Sequence, residues 1–530
     1  MPNTNQTTLA DNTPILVGAG QSVYRGSFSD FSLEGVESSG VPPVDLAVQA
    51  AQRAVADSGA EDALLKAIDT VICTRLFADS SPFLGHAFGA CENFTASVAN
   101  GLQARPKELI YVDVGGHSPQ RVLNEMAESI FDGEREAVVL AGSEALGLIK
   151  QASKAGEQPD WSAPMPSTLA DAKFEDRGMG KPFGGNLELN NGIALPTGAY
   201  ALFENAWRAK QGLSVKEHQL LMSELFSRFT KVAANNPYAQ FPEELSVEFL
   251  SESSPKNFDI ASPYLKWHVA QDAVNQGAAV VLTSVGKARA LGISEDKWVY
   301  LHGYGDADDA LITERESLSS TPAVTMAANT ALEMSGCSIS DIARFEIYSC
   351  FPCAVIFACE SMGIDWKNKD QELTLTGGLP FFGGPGNNYS MHGIAEMVAS
   401  LRDGKKQFGL VFANGGYLSK ASIGVYSATP PQDWQPSRIG LQLTESAKNQ
   451  LPEKPLEGTV SATLESYSIS FNRGKPGFTF VVATDENGKR IAAKVAEDDT
   501  AFIAKLLEGE AIGTAVTISP AEKGNYCVQA

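Results

Sequence analysis

The apolar residues of this chain recur in two rhythms, and the rhythms alternate. An apolar run over 15–19, in PILVGAGQ, predicts a strand. A loop rich in Ser, Gly and Pro follows. Leu46, Ala50, Ala54 and Val55 then fall at helical spacing in a predicted helix over 45–58, which Gly59 ends. Strands are predicted at 67–73 and 109–114. The second runs into GGHSPQ and a helix over 120–131, closed by Asp132-Gly133. The next strand, 137–141 in AVVLAGSEA, is apolar throughout, as a parallel strand buried on both faces is. Residues 145–265 change character. Pro, Gly and Asn are frequent early, helical spacing runs through 200–234, and the stretch reads as an insertion. Strand character returns at 278–282, and 298–301 opens a second alternation of strands and helices.

The second alternation repeats the first. EMAESIFDGEREAVVLAG begins at Glu125 and EMVASLRDGKKQFGLVFAN at Glu396. Without a gap, Glu125, Met126, Ser129, Asp132 and Gly133 match Glu396, Met397, Ser400, Asp403 and Gly404. Upstream, Ala50, Ala51, Ala54, Ser58 and Gly59 match Ala327, Ala328, Ala331, Ser335 and Gly336, and Cys73 falls opposite Cys350. Two such matches in one order imply an internal duplication; two generic strand–helix units are the alternative. Beyond 430, PPQDWQP reads as a linker. TVSATLESYSISF, GFTFVVATD and TAVTIS then alternate as short strands between Gly and Asn-Gly turns, the pattern of a small barrel or sandwich. The expected organisation is a first α/β half at 1–285 carrying the insertion at about 145–265, a second half at 286–430, and a β-rich domain at 431–530.

The formal net charge of the 530 residues is −22, and such a surface repels nucleic-acid backbones. Bulk charge does not describe a pocket, so a local basic patch for a phosphorylated ligand stays open. The 7 cysteines are too sparse for a disulfide framework. Cys350 and Cys353 form one C-x-x-C, which lacks both a second ligand pair for zinc and a thioredoxin-like context, so no metal is expected. The polar start MPNTNQTTLADNTP has no signal-peptide core, and no apolar run approaches the roughly 18 residues of a membrane span. The expected compartment is the reducing cytoplasm.

Several motifs together resemble the thiolase superfamily. TPILVGAGQ resembles its opening strand, and AESIFDGEREAVVLAGSEA resembles the helix and strand that follow its nucleophile. YSCFP, at 348–352, stands where the sterol-carrier-protein-type branch carries His-Asp-Cys-Phe. TGGLPFFGGPGNNYSMH, at 376–392, stands where thiolases carry Gly-Gly followed by Gly-His-Pro. The match is closest to the branch's thiolase-like proteins of type 1, often labelled acetyl-CoA acetyltransferase, and covers about residues 14–430; the added domain resembles that subgroup's extra domain. The resemblance implies a duplicated, layered α-β-α-β-α fold with an OB-like C-terminal domain. It further implies acyl transfer in lipid metabolism on coenzyme A thioesters, with no permanently bound cofactor, and assembly as a homodimer. The altered turn and added domain leave a monomer open, as they do a partner acyl-CoA enzyme.

Residue by residue, the resemblance departs from the pattern. Counting back from Gly133 sets the nucleophilic cysteine near Gly116, with His117 the adjacent catalytic candidate and Ser118 close by. Glycine cannot form a thioester. Gly115-Gly116 either simply permits a tight turn or leaves a helix N-terminus that binds a carbonyl or anion without covalent chemistry. Cys350 matches the acid/base cysteine of the branch, or it is a core cysteine at a strand end. Tyr348 replaces that motif's histidine and keeps one donor for an oxyanion. The Gly-His-Pro histidine falls on Gly384, with the amides of Asn387 and Asn388 as substitutes. His392 falls opposite Arg121 in the internal repeat, on a helix, and is either structural or catalytic. Gly377, Gly378, Gly383, Gly384 and Gly386 either let backbone approach a ligand or serve turns alone. Glu144 resembles a family glutamate, with loop ordering as the alternative. Lys173, Arg177, Lys181, Arg208, Lys210, Arg228 and Lys231 are candidate phosphate contacts or a solvated face. Beside acyl transfer, these departures admit a second reading, a non-catalytic coenzyme A ester-binding or partner protein in acyl-CoA metabolism, and a third gives the function to the C-terminal barrel.

Overall fold

The computed structural model describes residues 9–81, 84–403, 407–445, 456–509 and 511–529. Gly404 of the matched repeat and the first eight residues lie outside them. The main sheet runs, edge to edge, through Ile342–Ile347, Phe408–Gly415, Lys420–Ser427, Val299–Asp308, Pro14–Val23, Gln276–Ser284, Ala137–Glu144, Thr70–Cys73, Glu108–Tyr111 and Lys173–Asp176. Its two wings join where Ile15 faces Tyr300 and Leu16 faces Val299. Outward from that seam, each wing repeats one order: a central strand, an antiparallel neighbour, a second antiparallel strand, then a parallel one.

The helices Ser118–Phe131 and Tyr389–Leu401 lie between the wings. Val122, Leu123, Met126 and Ile130 of one, and Met391, Ile394, Met397 and Val398 of the other, share a core with Leu140, Val280 and Val411. Pro42–Asp57 covers the outer face of the first wing, and Pro322–Ser335 with Pro352–Met362 covers that of the second. The layers are therefore helix, sheet, helix, sheet, helix.

The duplication has a packing signature. A Cβ on Gly18 would overlap the Ala54 carbonyl, and one on Gly20 the Ala50 carbonyl. In the second half, Gly303 stands against the Ala331 carbonyl and Gly305 against Ala327. Ala50 and Ala54 are the residues that the sequence aligns with Ala327 and Ala331. In both halves, glycines two apart on the central strand let the first helix lie directly on the backbone, an approach any side chain would block.

Some elements differ from the sequence expectation. The helical stretch 200–234 is two helices, Pro196–Lys210 and Val215–Asn235; Ser214 caps the second with a capping box to Glu217. Ala67 ends the helix Glu61–Ala67 rather than opening a strand, which begins at Thr70. The expected linker is packed against the core. Trp434 is buried, donates to the Leu301 carbonyl at 2.5 Å and lies against Phe131, and Leu441–Leu443 pairs with Val299–Asp308. Beyond it, Val460–Asn472, Lys475–Asp485, Arg490–Val495, Ala515–Pro520 and Asn525–Gln529 close into a barrel, plugged by Phe502, Ile503 and Leu506 of the helix Thr500–Glu508. The barrel is bonded to the insertion. Ser466 Oγ donates to Leu202, Asn205 Nδ2 to Tyr467, and Ser262 N to Ile469. Among the described residues, no helix is long and apolar enough to cross a membrane.

Candidate functional site

Four turns converge at one end of the main sheet: 114–117 before Ser118–Phe131, 348–351 before Pro352–Met362, 386–388 before Tyr389–Leu401, and 414–419 between Phe408–Gly415 and Lys420–Ser427. Gly115 sits at φ +144°, and its amide donates to Asn387 Oδ1 at 2.9 Å. The Ser390 hydroxyl donates to the Gly116 carbonyl. A Cβ on Gly116 would overlap the Tyr348 hydroxyl and would stand 2.8 Å from the Asn414 carbonyl oxygen. The space a side chain would take at Gly116 is therefore filled by the phenol of Tyr348.

Tyr348 is buried, its ring edge-on to Tyr389 at 5.3 Å, and burial pushes its phenol well above the ordinary value. Cys350 is 8% exposed, and burial pushes its thiol up to about 12, so it is protonated at neutral pH. Asn414 Nδ2 lies 3.7 Å from its sulfur and donates to the Tyr200 hydroxyl at 2.7 Å. That hydroxyl also receives Leu418 N at 3.2 Å and donates to the Gly416 carbonyl at 3.1 Å. Sequence reasoning missed Asn414 and Tyr200; the Asn-Gly-Gly turn after an apolar strand was the available signal.

His117 is fully buried against Gly115 and Gly415, and neither ring nitrogen has a partner among the described residues. Burial, then the charges of Arg121 and Lys420, push its pKa well below the ordinary value, so the ring is neutral. Lys420, also buried, donates to the Val114 carbonyl at 3.1 Å, and burial lowers its amine to about 8. Ser118 Oγ turns back to the Asp113 carbonyl at 2.9 Å, a contact of the turn itself.

The two asparagines differ. Asn387 is committed, with Oδ1 to Gly115 and Nδ2 to the Arg75 carbonyl at 2.7 Å and Ser80 Oγ at 2.8 Å. Asn388 Oδ1 receives Thr74 Oγ1 at 3.1 Å, while its buried Nδ2 has no partner among the described residues. Gly384 donates to the Gln271 carbonyl at 2.8 Å, next to Ala270, whose amide bonds the Cys350 carbonyl at 3.0 Å. Gly378, at φ +82°, packs on Phe229 and Ser349. The structure thus gathers Gly116, His117, Ser118, Tyr348, Cys350 and Asn387 around one turn, with Asn388, Gly384 and Gly378 in the surrounding layer. His392 points elsewhere. Its Nδ1 pairs with Gln21 Oε1 at 2.7 Å, its ring meets Phe382, and burial lowers its pKa to about 3.

Two buried carboxyls brace the turns. Glu346 accepts from Leu375 N at 2.6 Å, Thr376 N at 3.0 Å and the Tyr389 hydroxyl at 2.7 Å, fixing the Gly377-Gly378 segment to the Tyr389–Leu401 helix. Glu144 accepts the Phe77 amide at 2.6 Å, and burial raises it to about 8. Of the candidate phosphate contacts, Lys173, Arg177 and Lys181 bond Glu108, Glu125 and the Asp309 carbonyl, while Arg208 is buried against Asn205 and Leu213. Lys210 reaches Ser319 at the surface. Arg228 and Lys231, with Lys369, border a groove of about 410 Å³.

A solved structure, a monomeric SCP2-thiolase like protein type 1 from Mycobacterium smegmatis, is 35% identical with a TM-score of 0.80, over 99% of this chain and 100% of that one. The chain belongs to the SCP2-thiolase-like protein type 1 family. This type 1 protein also shares its fold with more distant structures. An Ltp2-ChsH2(DUF35) aldolase is 19% identical over 78% of this chain and 98% of that one, with a TM-score of 0.53. Human mitochondrial 3-ketoacyl-CoA thiolase is 16% identical over 79% and 100%, with a TM-score of 0.54. Two curated relatives are named acetyl-CoA acetyltransferase. The Methanocaldococcus jannaschii protein is 25% identical over 34% of this chain, and the Methanothermobacter thermautotrophicus protein 26% over 45%. The matches span 43% and 65% of those relatives' lengths. No protein-family model matches the chain.

Proposed function

We propose that this type 1 protein is an acyl-CoA-handling member of its superfamily that binds coenzyme A thioesters without carrying the acyl group on a cysteine at the turn. One observation carries the reading: the Tyr348 phenol fills the position a nucleophile's side chain would take at Gly116. The protonated Cys350 thiol, buried two residues along the same turn, supports the same conclusion. The relatives named acetyl-CoA acetyltransferase support the ligand class and a place in acyl-CoA metabolism.

Calorimetry with coenzyme A and acetyl-CoA, paired with intact mass after incubation, tests this. Saturable binding with no acetyl adduct is expected, and Cys350→Ala should bind as the parent does. An adduct that disappears in Cys350→Ala would refute non-covalent handling.

A second reading keeps catalysis. In it Cys350 exchanges a proton with the substrate's α-carbon, and Tyr348 donates to the oxyanion. The amide of Asn414 aimed at the thiol favours it. Turnover of a 3-ketoacyl-CoA by the parent that falls at least tenfold in Cys350→Ala would establish it.

The reading also takes the protein as a monomer. The sheet's outermost strand beside Glu108–Tyr111, Lys173–Asp176, is four residues long and carries Lys173, Glu175 and Asp176, the kind of short, charged edge that resists pairing with a second copy. A dimer mass in light scattering would overturn that.

A further inference from the structure

Away from the turns, the groove bordered by Arg228, Lys231 and Lys369 changes character along its length. It lies between the helix Val215–Asn235 and the segment 369–375. Two cavities make it up. One holds about 410 Å³, and a more open one of about 470 Å³ shares Lys231, Val232 and Glu372 with it. From Glu224 to Asn235 the groove follows roughly 16 Å of the helix, at about 1.5 Å per residue. Its middle is apolar: Phe229 and Leu373 are buried, and Val232 is half-buried. One end is cationic. Arg228 donates to the Asn368 carbonyl at 2.7 Å and to the Trp366 carbonyl at 2.7 Å, contacts that fix the guanidinium without neutralising it. Lys369 follows Asn368 in the chain, and neither cation has a carboxylate partner among the described residues. The opposite end is polar, with Asn235, Asn236 and Glu396.

A fixed cation beside an apolar trough fits an amphiphile. We infer that this groove binds a medium-chain carboxylate, its head at Arg228 and Lys369 and its alkyl body over Phe229, Val232 and Leu373. The site does not require a thioester to reach the Tyr348 turn. A guanidinium has five N–H donors in a planar fork that matches a carboxylate, and the two backbone contacts of Arg228 leave donors unspent. The chain as a whole carries a formal net charge of −22 and repels anions, so an unpaired, half-buried arginine is a local exception. Glu224 and Glu372 also line the groove, but both are exposed, where water and salt screen them more than they screen Arg228. A cavity of about 410 Å³ is of the size that takes a small ligand. Each methylene laid in the apolar middle should add up to roughly fourfold in affinity.

Calorimetric titration of the full-length protein with octanoate, 1-octanol and butyrate tests the inference without any substitution. Octanoate should bind saturably, at least about tenfold more tightly than 1-octanol, which has the same body without the charge, and than butyrate, which has the same head on a shorter body. An equal affinity for 1-octanol would overturn the cationic head site, and an equal affinity for butyrate would overturn the apolar seat. Octanoate that does not bind would overturn both. Coenzyme A should not displace octanoate. If it does, the groove takes a phosphorylated ligand and the carboxylate assignment falls. If coenzyme A binds nowhere, the proposed function falls while octanoate binding still stands. Because Arg228 also pins 366–368, the charge is best tested at the exposed Lys369. Lys369→Glu should weaken octanoate severalfold, and Val232→Phe, which fills the apolar middle, should weaken it at least about tenfold. A folded variant of either kind that binds octanoate as the parent does would overturn the placement.

Discussion

In the first half of the molecule, Arg121 reaches from the Ser118–Phe131 helix to Asp308 at 2.8 Å, with Asp306 at 3.8 Å. At the equivalent place in the second half, His392 reaches from the Tyr389–Leu401 helix to Gln21 at 2.7 Å. The repeat that aligns Arg121 with His392 also aligns Asp306 with Gln21, because Gly303 and Gly305 answer to Gly18 and Gly20. One copy anchors its central helix by charge and the other by a neutral hydrogen bond, yet the glycine-to-carbonyl packing beneath them is the same. Packing geometry is intolerant of change because backbone meets backbone. The polar anchors tolerate replacement as long as both partners change together. The same divergence marks the helix starts, where His117 stands in one copy and Asn388 in the other, each with buried nitrogen lacking a partner among the described residues.

The comparison is broken most severely by removing one charge. Arg121→Met takes the nearer cation from Asp308, nearly inaccessible, and leaves it only Lys181 at 3.9 Å, so it should cost up to about 3–5 kcal/mol in chemical denaturation. His392→Met removes only a neutral partner from Gln21 and should cost about 1–2 kcal/mol. If the two variants lose the same stability, the two anchors are not physically different. Gly18→Ala and Gly303→Ala should each cost about 1–3 kcal/mol, and by similar amounts, since each methyl meets a helix carbonyl. A large inequality between them would undo the packing equivalence of the halves.

The smallest effects are in pH dependence. The folded pKa of His392, about 3, lies below its ordinary 6.5, so the unfolded chain binds more protons between those values and stability falls as pH drops through them. His392→Met should flatten that acid slope. Glu144 is shifted the other way, from 4.5 to about 8. Its contribution is complete below about pH 4.5 and fades as pH rises through 8. Glu144→Gln, which keeps an acceptor for Phe77, should flatten the alkaline side. Melting temperatures across pH 3–9 would read both; an unchanged slope in either variant would reject the corresponding assignment.

Much of the layered fold was legible in the sequence, because strands buried on both faces are apolar throughout and helices carry their period. The strands Arg490–Val495 and Asn525–Gln529 escaped: both are short, the first buries Ile491, Ala492 and Ala493 in a row without alternation, and the second exposes Tyr526 and Val528 while burying Asn525. The motif positions at Gly116, Tyr348 and Cys350 were legible through resemblance, but their spatial relation was not. That Tyr348 fills the space at Gly116 depends on two turns more than 200 residues apart. Tyr200, on the insertion, reaches Asn414 across a separation of 214 residues, and no local pattern encodes such a meeting. Glu346 interrupts an apolar strand and reads there as a solvent-facing alternation; its donors come from 374–376 and 389. Trp434 was the one sign that the proline-rich stretch after 430 is anchored rather than free.

The bonds between the barrel and the insertion carry a consequence for biosynthesis. Leu202 and Asn205 find their partners in Ser466 and Tyr467, more than 260 residues later. While a ribosome is still translating the intervening stretch, the helix Pro196–Lys210 has no roof, and its apolar residues face solvent and chaperones instead. A message truncated after codon 430 would yield a chain whose two main-sheet wings and central helices are present, short of Trp434 and the strand Leu441–Leu443, but whose insertion stays uncovered, a species that quality control would meet as unfinished.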